Sequence, residues 1–308
     1  MPERDTVVDT AMGPLNAILC TPDGPARAGL VLSDGSGPAT RDAWQGVPGW
    51  LAERGIATLR HDKPGCGGSP GDWRAQSLAD RAIEGIAALD TLRKQATVDR
   101  AGLIGYSQGG WVAVAAAANE PGLVDFVVTI SGPMVGPIEQ ERVRIERALR
   151  ARGRSEEVIE DALRWVDERA DRLVAGQDPA QILADQARYA RRDWYAEAAG
   201  PPYDTEELLV LGGRLARFDP AEILPFVRCP VMAFFGAADE LVPVERSLVV
   251  LGERLPAEQR GSNGVAVLPG VGHMLYPEPP QADVPLFQQL SPAFLPLLGA
   301  FLDRVTAG

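Results

Sequence analysis

A chain of 308 residues with 45% hydrophobic and 23% charged side chains can bury a large core, and its size suits one α/β domain, with or without an insertion. The net charge of -12 disfavours nucleic acid and anionic membrane as partners, since both require a basic surface. Only 2 His and 3 Cys occur, scattered singly at His61, His273, Cys20, Cys66 and Cys229, which excludes a three-His or Cys/His zinc centre and leaves open only a metal held by carboxylates.

Residues 1–10 alternate charged and apolar side chains, and no apolar run of export-signal length follows. No 18-residue apolar span occurs, and the unpatterned cysteines suit a reducing compartment, so a cytoplasmic location is expected. Strand patterns cover 15–20, 29–33 and 56–60, the last after a helix that Gly55 terminates. Residues 78–92 place Ile83, Ile86, Leu89 and Leu92 at helical spacing. A strand at 101–105, an alanine-rich helix at 107–118 and a strand at 124–130 follow. Strands separated by helices predict a parallel sheet with right-handed crossovers.

From 136 to 215 helical signals dominate. Ser155 before Glu156 and Glu157 is an N-cap with acids at the positive end of the dipole. Ile159, Ala162, Leu163, Val166, Ala170 and Leu173 then trace one face, and Gly176 stops the helix. Asp178-Pro179-Ala180-Gln181 opens another helix as a capping box, and Thr205-Glu206-Glu207 opens a third. Alternation resumes with strands at 230–235 and 265–268 and helices at 244–255 and 294–305. The pattern divides the chain into an α/β core, 1–135 and 216–308, and a helical cap, 136–215. Lys63 and Lys94 are the only lysines, which reads as a codon-composition bias without functional message.

The sharpest chemical signal is Gly105-Tyr106-Ser107-Gln108-Gly109-Gly110, between a strand and a helix. That context turns G-x-S-x-G into a nucleophile elbow, where side chains in place of the glycines collide with neighbouring backbone. Ser107 needs a base. His273 lies in the glycine-bracketed loop Gly270-Val271-Gly272-His273-Met274 after the last strand, whereas His61 precedes the serine and reads as a hydrogen-bonded strand-end residue. Asp239, in the turn after strand 230–235, is the orienting acid, with Glu240 as runner-up. The order Ser107, Asp239, His273 is the chain order of this type of site.

These motifs resemble the α/β-hydrolase family. Asp34-Gly35-Ser36-Gly37-Pro38 stands where members commonly carry His-Gly, Asp62-Lys63-Pro64-Gly65-Cys66-Gly67-Gly68-Ser69 resembles the family's D-x-x-G-x-G-x-S turn, and Gly236-x-x-Asp239-x-x-Val242-Pro243 its acid turn. The resemblance implies an α/β-hydrolase fold, a mostly parallel sheet flanked by helices, with an all-helical cap after the sixth core strand. It also implies an oxyanion hole from the backbone N–H groups of Gln108 and of Ser36 or Gly35, and no cofactor. A carboxylate at Asp34 opposes developing negative charge unless turned away, so an Asx turn is its simpler role.

The motifs are closest to bacterial serine esterases related to the S9 acyl-peptide hydrolase group. The implied function is a serine hydrolase acting on a carboxylic ester or similar small acyl substrate. Carbon–carbon hydrolases of vinylogous diketones, acyl-transferring or cyclising enzymes, and a non-catalytic ligand-binding protein compete with it. Tyr106, Asp34 and the aromatic residues Trp165, Tyr189, Trp194, Tyr195 and Tyr203 are candidates for substrate contact, the last five also for packing of cap against core. The oligomeric state is open and allows a homodimer.

Overall fold

The computed structural model describes residues 2–201, 203–259 and 261–307. Strands β1 (Glu3–Thr10), β2 (Gly13–Cys20), β3 (Ala28–Ser33), β4 (Ile56–His61), β5 (Ala101–Tyr106), β6 (Val127–Ile130), β7 (Val231–Gly236) and β8 (Gly264–Leu268) form one sheet in the order β1-β2-β4-β3-β5-β6-β7-β8. β2 pairs antiparallel with β1 and β4, and all later pairs are parallel. β3, β6 and β7 are buried at every residue, as apolar strands covered on both faces must be. Periodicity did not flag β1. Met1 lies outside the described residues; from Glu3 to Thr10 the stretch is an edge strand that buries only Val8, so its sequence lacks an apolar face.

Two layers cover the sheet. One packs α2 (Leu78–Ala96) and α3 (Gln108–Asn119) on Val31, Leu59, Leu103 and Phe235. α1 (Val47–Ala52) belongs to the other, against Leu30, Leu32, Ile104, Val128 and Phe234. A capping box starts α2: Ser77 Oγ accepts from the Asp80 N–H, and the Asp80 carboxylate accepts from the Ser77 N–H at 2.8 Å. The buried face of α2 is Ala82, Gly85, Ala88, Leu89 and Leu92, whereas the expected face residue Ile83 is 57% exposed. Small residues define the face because the helix lies close to the sheet; a Cβ on Gly85 would sit 2.9 Å from Leu103 Cδ2.

Between β6 and β7 the chain is helical: α4 (Pro137–Ala151), α5 (Glu156–Val174), α6 (Pro179–Gln186), α7 (Tyr195–Ala198), α8 (Glu206–Leu215) and α9 (Pro220–Ile223). Ser155, Asp178 and Thr205 cap their helices, accepting from the N–H groups of Val158, Ala180 and Leu208. Gln181 does not close a capping box; its amide reaches Asp185 instead. These helices bury their own cluster, including Ile145, Leu149, Ile159, Trp165, Ile182, Trp194 and Leu209. The fold closes with α10 (Val244–Arg254), the short α11 (Leu286–Gln289) and α12 (Phe294–Thr306). Among the described residues no helix is long and apolar enough to cross a membrane.

Candidate active site

Ser107 occupies the turn between β5 and α3 at φ 52° and ψ -121°, a backbone conformation that disfavours a side chain and persists only where the surroundings impose it. The imposition is visible. The Ser107 N–H donates to Ile130 O at 2.8 Å, and the Gly110 N–H donates to Ser107 O at 2.8 Å. A Cβ on Gly105 would collide with the main chain of Gly109, and one on Gly109 with the main-chain oxygen of Ser33. Helix α3 therefore docks on the ends of β3 and β5 only through glycine.

His273 meets Ser107 from the loop after β8. Its Nε2 lies 3.0 Å from Ser107 Oγ, and its Nδ1 lies 2.8 Å from Asp239 Oδ2. Asp239, just beyond β7, directs its other oxygen, Oδ1, to the N–H groups of Leu241 (2.9 Å) and Val242 (3.0 Å). Two main-chain donors thus hold the carboxylate, and its free oxygen accepts from Nδ1–H. That tautomer leaves Nε2 as the acceptor for the serine hydroxyl. Tyr106 packs its ring against His273 at 5.2 Å between centroids. Glu240, the alternative acid, is exposed. His61 reaches only the Asp62 carbonyl, at 3.1 Å, and burial pushes its pKa down.

Gly35 lies against Ser107, because a Cβ there would be 3.2 Å from Ser107 Cβ. Among the described residues the N–H groups of Gly35, Ser36 and Gln108 donate to no protein acceptor. Two side chains to which the sequence reading gave no role surround this loop, Arg81 and the Lys63 of the 62–69 turn. Arg81 of α2 donates to Asp34 O at 2.6 Å and to Gln108 Oε1 at 2.5 Å. The buried Lys63 donates to the carbonyls of Gly35 and, at 2.6 Å, Gly37. Burial pushes the Lys63 ammonium down to about 7 and the nearby Glu84 carboxyl up to about 7.

A cavity of about 550 Å³ opens on Ser107, walled by Ser36, Lys63, Arg81 and Gln108 of the sheet side and by Glu141, Tyr203 and Leu215 of the helical segment. Of the five aromatic candidates there, only Tyr203 lines it. Trp165 and Trp194 are 3% and 1% exposed, and their indole N–H groups donate to Gln186 and Asp161. Tyr189 stacks between those two indoles, and Tyr195 packs against the same cluster. These four rings form the interior of the helical segment, because its helices need a core of their own before they can roof anything. Asp34 and Tyr106 line a second, largely apolar cavity of about 690 Å³, with Trp44, Met274 and Phe287. Burial raises the Asp34 pKa. Among the described residues no group of three or more His, Cys, Asp or Glu is placed to hold a metal ion.

The model of a family described as "Alpha/beta hydrolase family" matches residues 30–284. No protein of curated function gives a significant sequence match. Among solved structures, the chain is similar to the alpha/beta hydrolase GrgF from Penicillium sp. sh18, at 20% identity over 100% of both chains with a TM-score of 0.64. It is similar to an esterase of Pyrococcus furiosus at 16% identity, over 99% of this chain and 92% of that one, with a TM-score of 0.63. It is similar to a proline iminopeptidase of Mycobacterium smegmatis at 18% identity, over 98% of this chain and 99% of that one, with a TM-score of 0.61. At these identities the structures speak for the fold, and the family match spans most of the chain. The chain belongs to the alpha/beta hydrolase family.

Proposed function

We propose that the protein is a serine hydrolase that cleaves a carboxylic ester, or a related acyl compound, through an acyl-enzyme. One observation carries this reading: the unbroken line from Asp239 through His273 to Ser107, at 2.8 and 3.0 Å, on the floor of a cavity. Ser107 Oγ attacks the acyl carbonyl and gives its proton to His273 Nε2, while Asp239 stabilises the imidazolium. The carbonyl oxygen becomes an oxyanion facing the N–H groups of Gln108 and of Gly35 or Ser36. Collapse expels the leaving oxygen, which takes the proton from Nε2. A water then loses a proton to Nε2 and attacks the acyl-serine, and the adduct collapses to the free acid as Nε2 returns that proton to Ser107 Oγ.

The helical segment between β6 and β7 acts as the cap, supplying Glu141, Tyr203 and Leu215 to the roof over Ser107. Within the family we place the chain nearest the serine esterases related to the S9 acyl-peptide hydrolase group, on Asp62-Lys63-Pro64-Gly65 and Ser107-Gln108-Gly109-Gly110. Three free, buried cysteines support a cytoplasmic setting. The test is turnover of short p-nitrophenyl esters beside amide, lactone and vinylogous diketone substrates, with Ser107→Ala as control. Ester cleavage lost in the variant supports the reading; turnover of the diketone alone replaces it with carbon–carbon hydrolysis.

A further inference from the structure

Two cations hold the main chain around the nucleophile, and among the described residues neither forms an ion pair with a carboxylate. Lys63 is 3% exposed and spends its ammonium on the carbonyls of Gly35 and Gly37. Arg81 spends Nη2 on Asp34 O and Nη1 on Gln108 Oε1. Burying a cation without a carboxylate in direct contact is unfavourable, so stability alone does not account for the arrangement.

Two of the carbonyls they hold, Asp34 O and Gly35 O, belong to successive peptide units. In a trans peptide the C=O and the following N–H point in opposite directions. A cation on Asp34 O therefore turns the Gly35 N–H away from itself, and a cation on Gly35 O does the same to the Ser36 N–H. Gly35 touches Ser107 and Ser36 lines the Ser107 cavity, so these are the N–H groups available to an oxyanion. Arg81 also grips the side chain of Gln108, whose own N–H is the other donor, so one guanidinium bridges both donor segments. A cation bound at the carbonyl polarises the peptide and strengthens its N–H as a donor.

On the serine hydrolase reading above, we propose that Lys63 and Arg81 are positioning residues, a two-cation clasp that aims and polarises the oxyanion hole. The groups facing the Lys63 ammonium are Arg81 and Glu84 of α2, Asp34 of the β3 loop, His61 at the end of β4 and Cys66 of its own turn. The clasp loses charge as pH rises through about 7, the value to which burial and Arg81 push Lys63.

The test compares Lys63→Met, Arg81→Met and Arg81→Lys with wild type in ester turnover and in affinity for phenylboronic acid, which forms an anionic tetrahedral adduct on serine. Each Met variant is expected to lower kcat by ~10–100-fold, less than the ~10²–10³-fold cost of removing an oxyanion donor outright because the N–H groups remain, with KM changed by less than ~3-fold. Boronate affinity is expected to fall by the same factor as kcat. If a Met variant does not fold, Arg81→Lys decides, because lysine keeps the charge but lacks the two-nitrogen fork by which Arg81 holds Asp34 O and Gln108 Oε1 together; unchanged kcat and boronate affinity there overturn the clasp. Unchanged kcat with a KM raised only for anionic substrates also overturns it, and assigns the cations to an anionic substrate group. Wild-type protein that neither turns over acyl substrates nor takes a fluorophosphonate on Ser107 overturns the hydrolase reading itself.

Discussion

Arg147, on α4 of the helical segment, donates from Nη1 to the main-chain oxygens of Asp239 (3.1 Å) and Val242 (3.0 Å). The same turn presents the N–H groups of Leu241 and Val242 to Asp239 Oδ1. One arginine outside the sheet therefore ties down the turn that aims the acid at His273. Arg147→Ala is expected to cost about 1.5–3 kcal/mol of stability, the worth of hydrogen bonds to a charged donor. It should also lower kcat by roughly 10-fold, because small misplacements of a relay group are expensive in rate. Denaturant melts and steady-state kinetics check both. A loss of stability at unchanged kcat would show that Arg147 serves packing alone.

Replacing Asp239 by Asn isolates the orienting role. The amide oxygen can still accept from Leu241 and Val242, which turns the NH₂ toward His273 Nδ1 and forces the proton onto Nε2. His273 then donates to Ser107 Oγ instead of accepting from it. Asp239→Asn is expected to keep the fold and lower kcat by about 10⁴-fold, as loss of the orienting carboxylate does in serine triads. Comparing kcat with the near-ultraviolet circular dichroism of both proteins separates lost catalysis from lost structure.

Glu84, 2% exposed on α2, accepts from Gln76 Nε2 at 2.5 Å, and burial raises its pKa from 4.5 to about 7. Between those values the unfolded chain has released the proton while the folded protein retains it, so stability falls as pH rises through this window. Above about 7 the full penalty is present, roughly 3 kcal/mol for a shift of this size. Glu84→Gln keeps an acceptor for Gln76 without the charge. The variant is expected to be more stable than wild type by up to ~3 kcal/mol at pH 8 and to gain little at pH 4. An equal gain at both values, or a loss at pH 8, contradicts this account of the buried acid.

The geometry of the candidate site was legible in the sequence wherever a local motif carries it. Ser107 sits in a glycine-framed turn, and Asp239 and His273 follow strands in the expected chain order, so each announces itself within about ten residues. Arg81 and Arg147 do not, because their partners are 27 to 95 positions away and their own helices give no sign of direction. Lys63 was visible in its turn motif, but its scarcity concealed its place among the backbone carbonyls. Helical periodicity separated inside from outside in the 136–215 segment without saying which interior. Trp165 and Trp194 thus read equally well as a substrate pocket or as packing, and they fill the segment's own core. At β1 the failure is of the opposite kind: an edge strand needs so little burial that one Val8 suffices.

The central claim is that Ser107, activated by His273, is the nucleophile. Intact-protein mass spectrometry after exposure to a fluorophosphonate tests it most directly. The account predicts one adduct per chain, localised to Ser107, absent in Ser107→Ala and formed far more slowly in His273→Ala, with ester turnover following the same order. An adduct on another residue, or ester turnover that survives in Ser107→Ala, would contradict it.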